Sequence, residues 1–312
     1  MQRYPVPLKS IFLNNFLPIR TQCMQDKVHD GTSEEWTLII EPKSALWDLK
    51  LDELWRYRDL LFLFVKKDFI SVYKQTILGP LWFVVQPLLT TFIFVIFFDK
   101  IAGIPTGGIP SVLFYLSGLV LWNYFSSCLT VTATSFTANA ELFGKVYFPR
   151  LVVPLSKVLS GLVTLGIQLL ILLAFTAYYI FTGALQLHFN LYLLLLPLLV
   201  LIAAALALGL GIIISALTTK YRDLVFLITF GVQLLMYATP VIYPLSFISQ
   251  QYKILVLANP LSPLIEWFRF ALLGVGTVNA AHLGYSIVAT ALILFIGIVV
   301  FNKVERNFID VI

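Results

Sequence analysis

Long runs of apolar residues, separated by short polar stretches, occupy most of the chain between residues 77 and 301. A helix needs about 20 apolar residues to cross the hydrocarbon core of a membrane. We therefore expect an all-α integral membrane protein with six transmembrane helices. The predicted spans are Ile77–Phe98, Ser111–Ser135, Leu159–Phe181, Leu191–Leu217, Val225–Ile242 and His282–Phe301.

Prolines interrupt this pattern at two places. Pro87 lies inside the first predicted span and predicts a kink, because it removes a backbone hydrogen bond. Between spans five and six, the segment Tyr243–Thr277 mixes three prolines with charged and aromatic residues. It is too broken for a plain crossing and too apolar for an ordinary loop. We expect short re-entrant or interfacial helices here, since irregular backbone at membrane depth must be shielded by protein.

Residues 53–75 predict an amphipathic helix that lies on the membrane surface. At helical spacing, one face carries Leu54, Leu61, Val65 and Val72, and the opposite face carries Asp52, Arg56, Asp59, Lys67 and Lys74. Such a helix serves either as a membrane anchor alone or as a contact for a partner protein. Its candidate contact charges are Arg56, Asp59, Lys66 and Lys67.

These elements divide the chain into four parts. Residues 1–52 are expected to form a cytoplasmic extension, in which "EEWTLIIEP" is compatible with one short strand. A docking arm is the functional alternative for this extension. The interfacial helix covers residues 53–75, the six-span domain covers 76–302, and a cytoplasmic tail covers 303–312.

The composition agrees with a membrane protein. Only 12% of the residues are charged, compared with about 25% in soluble domains. The net charge of +5 does not indicate nucleic acid, because the cations lie between apolar spans instead of in one basic tract. Six spans would place 18 of the 21 Lys and Arg residues on one side of the membrane. The positive-inside rule makes that side, with both termini, cytoplasmic.

The sequence lacks the residue patterns that several kinds of chemistry require. No charged residue lies deep in a predicted span, which argues against an ion-coupled carrier or a voltage sensor. The three histidines and two cysteines are too dispersed to predict a metal site or a catalytic set. A phosphate-binding Gly-rich loop with Lys-Ser/Thr is also missing. A pore, a scaffold or a transporter driven by a partner remains.

From about Trp36 onward, the chain resembles the permease subunits of type-2 ABC exporters of lipid-linked polysaccharides, such as O-antigen, capsule and teichoic acid. Five motifs carry the resemblance in the family's order. They are "LLFLFVKKDFISVYKQTILGPLWFVVQPLL", "KVYFPRLVVPLSKVLSGLV", "SALTTKYRDLVFLITFGVQLLMYATPVIYP", "LANPLSPLIEWFRFALLG" and "VERNFIDVI".

The resemblance implies a homodimer in a bacterial cytoplasmic (inner) membrane, paired with two copies of a separate ATP-binding cassette subunit. ATP and Mg would be bound by that partner, and this chain would bind no cofactor and no metal. The substrate would be a lipid-linked glycan that passes through a channel between the permeases. Membrane lipid is a further expected contact, and nucleic acid is not.

The resemblance also assigns the two inner loops to coupling with the ATPase. In this interpretation, Tyr147 and Phe148 are apolar anchors, and the surrounding loop contributes Lys145, Pro149 and Arg150. A second contact would use Tyr221, Arg222 and Asp223. The alternative is that the loop cations only set the membrane topology, and that Arg222 pairs with Asp223.

By resemblance, the broken segment would form gate helices at the outer channel exit. Glu266 and Arg269 can meet on one helical face, as a local ion pair or as a bridge between subunits. Four aromatic residues, Trp82, Tyr115, Trp122 and Tyr124, are candidates for sugar contact in the channel. They fit equally an aromatic belt at the membrane surface.

Two other functions stay open at this point. A type-2 exporter of a small lipid or drug would share the fold and both loops. An integral membrane glycosyltransferase would need acidic residues at one membrane face, where only Asp99 and Glu266 are available on the outer side.

Overall fold

A computed structural model describes residues 51–74, 77–146, 148–185, 191–221 and 223–307 of the chain. The described residues form helices and connecting turns. Five helical segments are long and apolar enough to cross a membrane: Gly79–Ile101, Ser111–Ala133, Val152–Phe181, Leu191–Thr219 and Ala280–Lys303. They coincide with five of the six predicted spans. The expected extension and its short strand lie outside the described residues, as does the end of the tail.

The remaining predicted span, Val225–Ile242, corresponds to a shorter apolar helix, Leu224–Tyr237. Its 14 residues rise about 21 Å, less than the hydrocarbon thickness of about 30 Å. The chain leaves the helix before the end of the predicted span, and Thr239–Val241 forms a tight turn.

Twelve α-helices are named in chain order. They are α1 (Leu51–Arg56), α2 (Arg58–Tyr73), α3 (Trp82–Phe94, extended by π-helical Val95–Ile101), α4 (Ser111–Ala133), α5 (Ser135–Ala138), α6 (Ala140–Lys145), α7 (Val152–Phe181), α8 (Leu196–Lys220), α9 (Leu224–Tyr237), α10 (Gln250–Ala258), α11 (Leu261–Leu273) and α12 (Ala280–Asn307). Short 3₁₀ segments occupy Gly79–Leu81, Leu191–Leu195 and Leu245–Phe247.

The core is built around α4, most of whose residues are buried between α7, α8 and α11. Small residues allow the closest approaches. A Cβ atom on Gly297 of α12 would lie 2.8 Å from the carbonyl oxygen of Gly209 on α8. A Cβ atom on Gly211 would lie 2.6 Å from the side chain of Thr132 on α4. Apolar helices can pack this tightly only where glycine lets their backbones meet.

The two ends of the bundle differ in composition. One end carries α1, α2, α5, α6 and the α6–α7 loop; we refer to it as the cationic end. The opposite end carries α10 and α11, the two short helices into which the proline-broken segment folds. Nearly every residue of α11 is buried against α4, α8 and α12, so this helix belongs to the core of the bundle.

Candidate functional site

A cleft lined by uncharged polar residues opens between α3, α4, α7 and α9, in the half of the bundle nearer the cationic end. Its volume is about 470 Å³, and it is partly open to the surface. We call it the polar cleft. Its lining residues are Trp82, Phe83, Gln86 and Pro87 of α3, Asn123, Ser126, Ser127, Thr130 and Val131 of α4, Thr164 and Gln168 of α7, and Thr229, Val232 and Gln233 of α9.

Helical periodicity places these polar groups on the facing sides of their helices. Pairs such as Thr164 and Gln168, or Thr229 and Gln233, are spaced i to i+4 and therefore share one face. Gln168 is 5% exposed, and its Oε1 atom accepts no hydrogen bond from the described residues. A buried carbonyl without a partner carries a free-energy cost, which a ligand donor in the cleft could remove.

The side chains that line the cleft are suited to hydrogen bonding. Amides and hydroxyls donate and accept hydrogen bonds, and Trp82 adds an aromatic surface that is 45% exposed. The lining contains no charged side chain. Within the part of the chain that the structure describes, no three His, Cys, Asp or Glu residues are grouped as metal ligands. Such a wall suits a neutral molecule rich in hydroxyl groups.

The four candidate channel aromatics do not share one environment. Trp82 lines the polar cleft, and its contact with a sugar stays a prediction. Tyr115, Trp122 and Tyr124 are instead buried in the core around α4, at 4% exposure or less. Their rings are covered by neighbouring helices of the same chain, which disfavours the prediction that these three residues contact substrate. All three belong to the hydrophobic core around α4.

At the cationic end, the α6–α7 loop presents a mixed surface. Lys145 and Val146 are exposed, and Lys145 lies 3.7 Å from Glu141 one turn earlier. Pro149 and Arg150 are half-buried, with the Arg150 guanidinium 5.9 Å from the ring centre of Phe143. Tyr147 lies outside the described residues.

Phe148 contacts its own chain. It is 5% exposed and packs in a cluster with Leu61, Val152 and Val153. Its ring centre lies 6.0 Å from that of Phe64 on α2 and 5.7 Å from that of Phe143 on α6. A direct anchor in another protein would need an exposed ring, so the structure places Phe148 as the link between the loop and α2.

The second loop is exposed where it is described. Tyr221 and Asp223 lie on the surface at the cationic end, between α8 and α9. Arg222 lies outside the described residues, so its pairing with Asp223 stays a prediction.

The helix at the cationic end exposes its predicted charges. Arg56, Asp59, Lys66 and Lys67 all face outward, and Leu61 on the other face is buried. The exposed surface also carries large apolar side chains, among them Trp55 and Phe62. The main packing partner of α2 is α7. Whether the helix lies in a membrane surface stays a prediction.

At the opposite end, Glu266 and Arg269 form a local ion pair inside one chain. Arg269 Nη1 lies 3.2 Å from Glu266 Oε1, and both side chains are at most 2% exposed. Burial lowers the pKa of Arg269 to about 10, a shift that the carboxylate of Glu266 opposes. A bridge between subunits would need exposed partners, so the structure favours the local ion pair over the bridge. Asp99, the other acid considered for glycosyl transfer, lies 3.3 Å from Lys100.

Two groups of residues were missed by the motif search. The uncharged polar residues of the cleft belong to four different helices, and none forms a motif of its own. Their spacing carried the signal, since Asn123, Ser127 and Thr130 recur on one face of α4. Asp68 and Lys157 belong to no motif either, and the structure brings them into contact.

The described residues form a helical bundle with five helices long and apolar enough to cross a membrane and a polar cleft between its helices. The pattern of the ABC-2 type transporter family matches residues 59–273, more than half of the chain, so the chain belongs to the ABC-2 type transporter family. The five apolar helices and the family together make it a multi-pass membrane protein.

Individual relatives agree with this family. The chain is 28% identical to the "O-antigen export system permease protein RfbA" of Klebsiella pneumoniae over 254 residues, which cover 81% of this chain and 95% of that protein. A second Klebsiella pneumoniae protein of the same name is 29% identical with the same coverage. The Myxococcus xanthus protein of that name is 27% identical over 231 residues, covering 70% and 81%. The resemblance to type-2 ABC exporter permeases is confirmed.

Proposed function

We propose that this chain is the channel-forming permease subunit of an ATP-driven exporter that moves a lipid-linked polysaccharide across the bacterial cytoplasmic membrane. Six spans would place both termini in the cytoplasm, with the cationic end on that side. The polar cleft is the observation that supports this proposal most directly, because it gives hydroxyl-rich molecules a hydrogen-bonding surface inside an apolar bundle. The names of the relatives supply the substrate class.

Conduction of a long glycan needs many weak contacts instead of one tight site. A translocation path must bind well enough to admit its substrate and weakly enough to release it. Amide and hydroxyl walls meet this requirement, since each hydrogen bond that they offer replaces one with water. Trp82 adds a face on which the apolar side of a sugar ring can stack.

A second copy of the chain would complete the channel. The cleft is partly open to the surface, and the neighbouring α3 exposes large apolar side chains, including Leu89 and Phe92. A homodimer would join two clefts into one enclosed path and cover part of this apolar surface. Lipid would cover the remainder.

The energy source would be two copies of an ATP-binding cassette subunit, which would hold ATP and Mg. They would dock on the cationic end, where Lys145, Val146, Tyr221 and Asp223 are exposed on the two loops. ATP-driven closure of these subunits would shift the balance between closed and open states of the permease.

The test is to obstruct the cleft without disturbing the core. Thr229 lines the cleft from α9 and is exposed in the single chain, so Thr229→Trp should fold and narrow the path. We expect surface polysaccharide to fall at least fivefold in a deletion strain that expresses this variant at the wild-type level. Leu201→Trp is the matched control, because Leu201 is 65% exposed on α8 and outside the cleft. Normal display with Thr229→Trp would refute the assignment of the path.

A smaller substrate is the second candidate, since about 470 Å³ is also the size of a site for a drug-like molecule. The deletion strain separates the two. A glycan exporter predicts that lipid-linked polymer accumulates in the cytoplasm, whereas an exporter of a small lipid or drug predicts normal polysaccharide and altered resistance or lipid content.

A further inference from the structure

Asp68 of α2 is held by two side chains of α7. Lys157 Nζ lies 2.6 Å from Asp68 Oδ1, and Ser160 Oγ donates to Asp68 Oδ2 at 3.3 Å. Lys157 and Ser160 are one helical turn apart, so both carboxylate oxygens face the same surface of α7. The two charged side chains are each 24% exposed, which makes this pair better shielded than the bundle's other ion pairs at the cationic end.

The same face of α2 is fixed at a second point. Leu61 lies seven residues before Asp68, two turns earlier on one face, and it packs with Phe148, Val152 and Val153. Phe148 belongs to the α6–α7 loop, and the two valines begin α7. One end of the α2 face is therefore joined to the loop, and the other end is joined to α7 by the ion pair.

This attachment lies at the base of two walls of the polar cleft. Seven residues after Lys157, about 10 Å along α7, Thr164 lines the cleft. On the other side, α2 leads within a few residues into α3, which contributes Trp82 and Gln86 to the cleft. A displacement of α2 relative to α7 would change the distance and orientation between these two walls.

We propose that Asp68 and Lys157 are positioning residues that keep α2 and α7 moving as one unit when the ATPase displaces the α6–α7 loop. This inference rests on the proposed function. The ion pair stays closed throughout the transport cycle. The motion of the loop therefore reaches α3 through α2, without α2 sliding against α7.

Single substitutions test the role of the pair. Asp68→Asn and Lys157→Met should assemble with the ATPase subunit at wild-type levels, since the apolar cluster still holds α2. We expect the purified complex to retain its ATPase activity, and surface polysaccharide per permease to fall about tenfold. The exchange variant, Asp68→Lys with Lys157→Asp, should recover at least half of the display. Lys100→Met is the control, because it removes a lysine from an exposed pair at the opposite end.

A covalent bridge tests whether the pair stays closed. Asp68→Cys with Lys157→Cys, in a chain with Cys23→Ser and Cys128→Ala, would be joined by a short bis-thiosulfonate reagent. Before the reagent is added, export should be as low as in the single variants, and after bridging it should rise several-fold. Loss of export on bridging, with recovery on reduction, would show that the pair opens in each cycle and overturn the proposal.

Other outcomes are also decisive. Wild-type display by Asp68→Asn and Lys157→Met would refute the role of the pair and leave the exporter intact. A fall in permease level and thermal stability, with unchanged display per molecule, would show a purely structural pair. If the wild-type chain itself did not restore polysaccharide to the deletion strain, the proposed function would fail instead.

Discussion

Glu266 and Arg269 lie one turn apart on α11 and hold two connecting segments, α9–α10 and α11–α12, at the end of the bundle opposite the cationic end. The Glu266 carboxylate accepts from the backbone N–H groups of Leu245 at 3.3 Å and Thr277 at 3.1 Å. Arg269 Nη2 donates to the carbonyl oxygen of Pro240 at 3.0 Å. The guanidinium carbon also lies 3.9 Å from the ring centre of Phe114 on α4. One buried ion pair therefore fixes the ends of α9, α10 and α12 to the core.

Removal of one partner of this pair should be strongly destabilising. Glu266→Gln leaves the buried guanidinium without a counter-charge, which costs about 3–5 kcal/mol in comparable sites. Thermal unfolding in detergent should show a large fall in the midpoint. Glu141→Gln removes a carboxylate from the exposed pair with Lys145 and should leave the midpoint unchanged. The double variant Glu266→Leu/Arg269→Met should be more stable than Glu266→Gln, and a lower midpoint would contradict this explanation.

Glycine is required where α8 meets α4. In Gly211→Ala, the new methyl group would lie 2.6 Å from Thr132, so the helices must separate. Overpacking of this kind costs about 1–3 kcal/mol. Gly166→Ala in α7 is the matched control, because no atom lies within 4 Å of the added Cβ. The control should be neutral or slightly stabilising, since alanine favours a helix over glycine. Equal unfolding midpoints for the two variants would disprove the close packing.

Phe148 should stabilise α2 as well as the loop that contains it. Phe148→Ala removes a large side chain from the cluster with Leu61, Val152 and Val153, at a cost of about 3–5 kcal/mol. We expect faster hydrogen exchange across α2 in the purified complex. Val146→Ala, on the exposed part of the same loop, should leave exchange in α2 unchanged. If the backbone amides of α2 were equally protected from hydrogen exchange in both variants, the loop and α2 would be independent.

Gln168 should show opposite effects on stability and transport. Gln168→Leu removes a buried carbonyl that has no partner in the described chain, so the unfolding midpoint should stay constant or rise. Export should fall several-fold, because the cleft loses a hydrogen-bonding group. Gln251→Leu, on the exposed surface of α10, should change neither quantity. If Gln168→Leu exported normally, Gln168 would be only a tolerated core residue.

The sequence predicted the positions of the helices better than it predicted the contacts between their side chains. Hydrophobic runs located five spans, because a run of about 20 apolar residues has few alternatives to a membrane helix. The ends of the helices were predicted less accurately. The third predicted span began at Leu159, but α7 begins at Val152, which brings Lys157 into its first turns. The apolar run that defines the span begins after Lys157, but the helix extends beyond that run and contains Pro154 near its start, where proline is tolerated.

The roles of side chains depended on contacts that a linear pattern does not contain. Phe148 was predicted as an anchor for the ATPase, and Tyr115 as a sugar contact or a belt residue. The structure buries both side chains against helices that are distant in sequence. Glu266 and Arg269 could be paired from their spacing alone, but their four backbone partners come from separate loops. The cleft was missed because single Gln, Ser and Thr residues within spans carry no motif.

The helices of the bundle differ in how freely they can move. The contact between Gly209 and Gly297 lies in the part that is most closely packed. Where α8 and α12 touch through glycine backbone, neither can shift without a steric clash. On the far side of the cleft, α9 has no buried residue among those described, and α3 buries few. Elements with little buried contact move at low free-energy cost. Of the helices that line the cleft, α4 belongs to this closely packed core, whereas α3 and α9 do not. In the proposed exporter, movement of α3 and α9 would widen the cleft for a bulky branched sugar while the core stays closed.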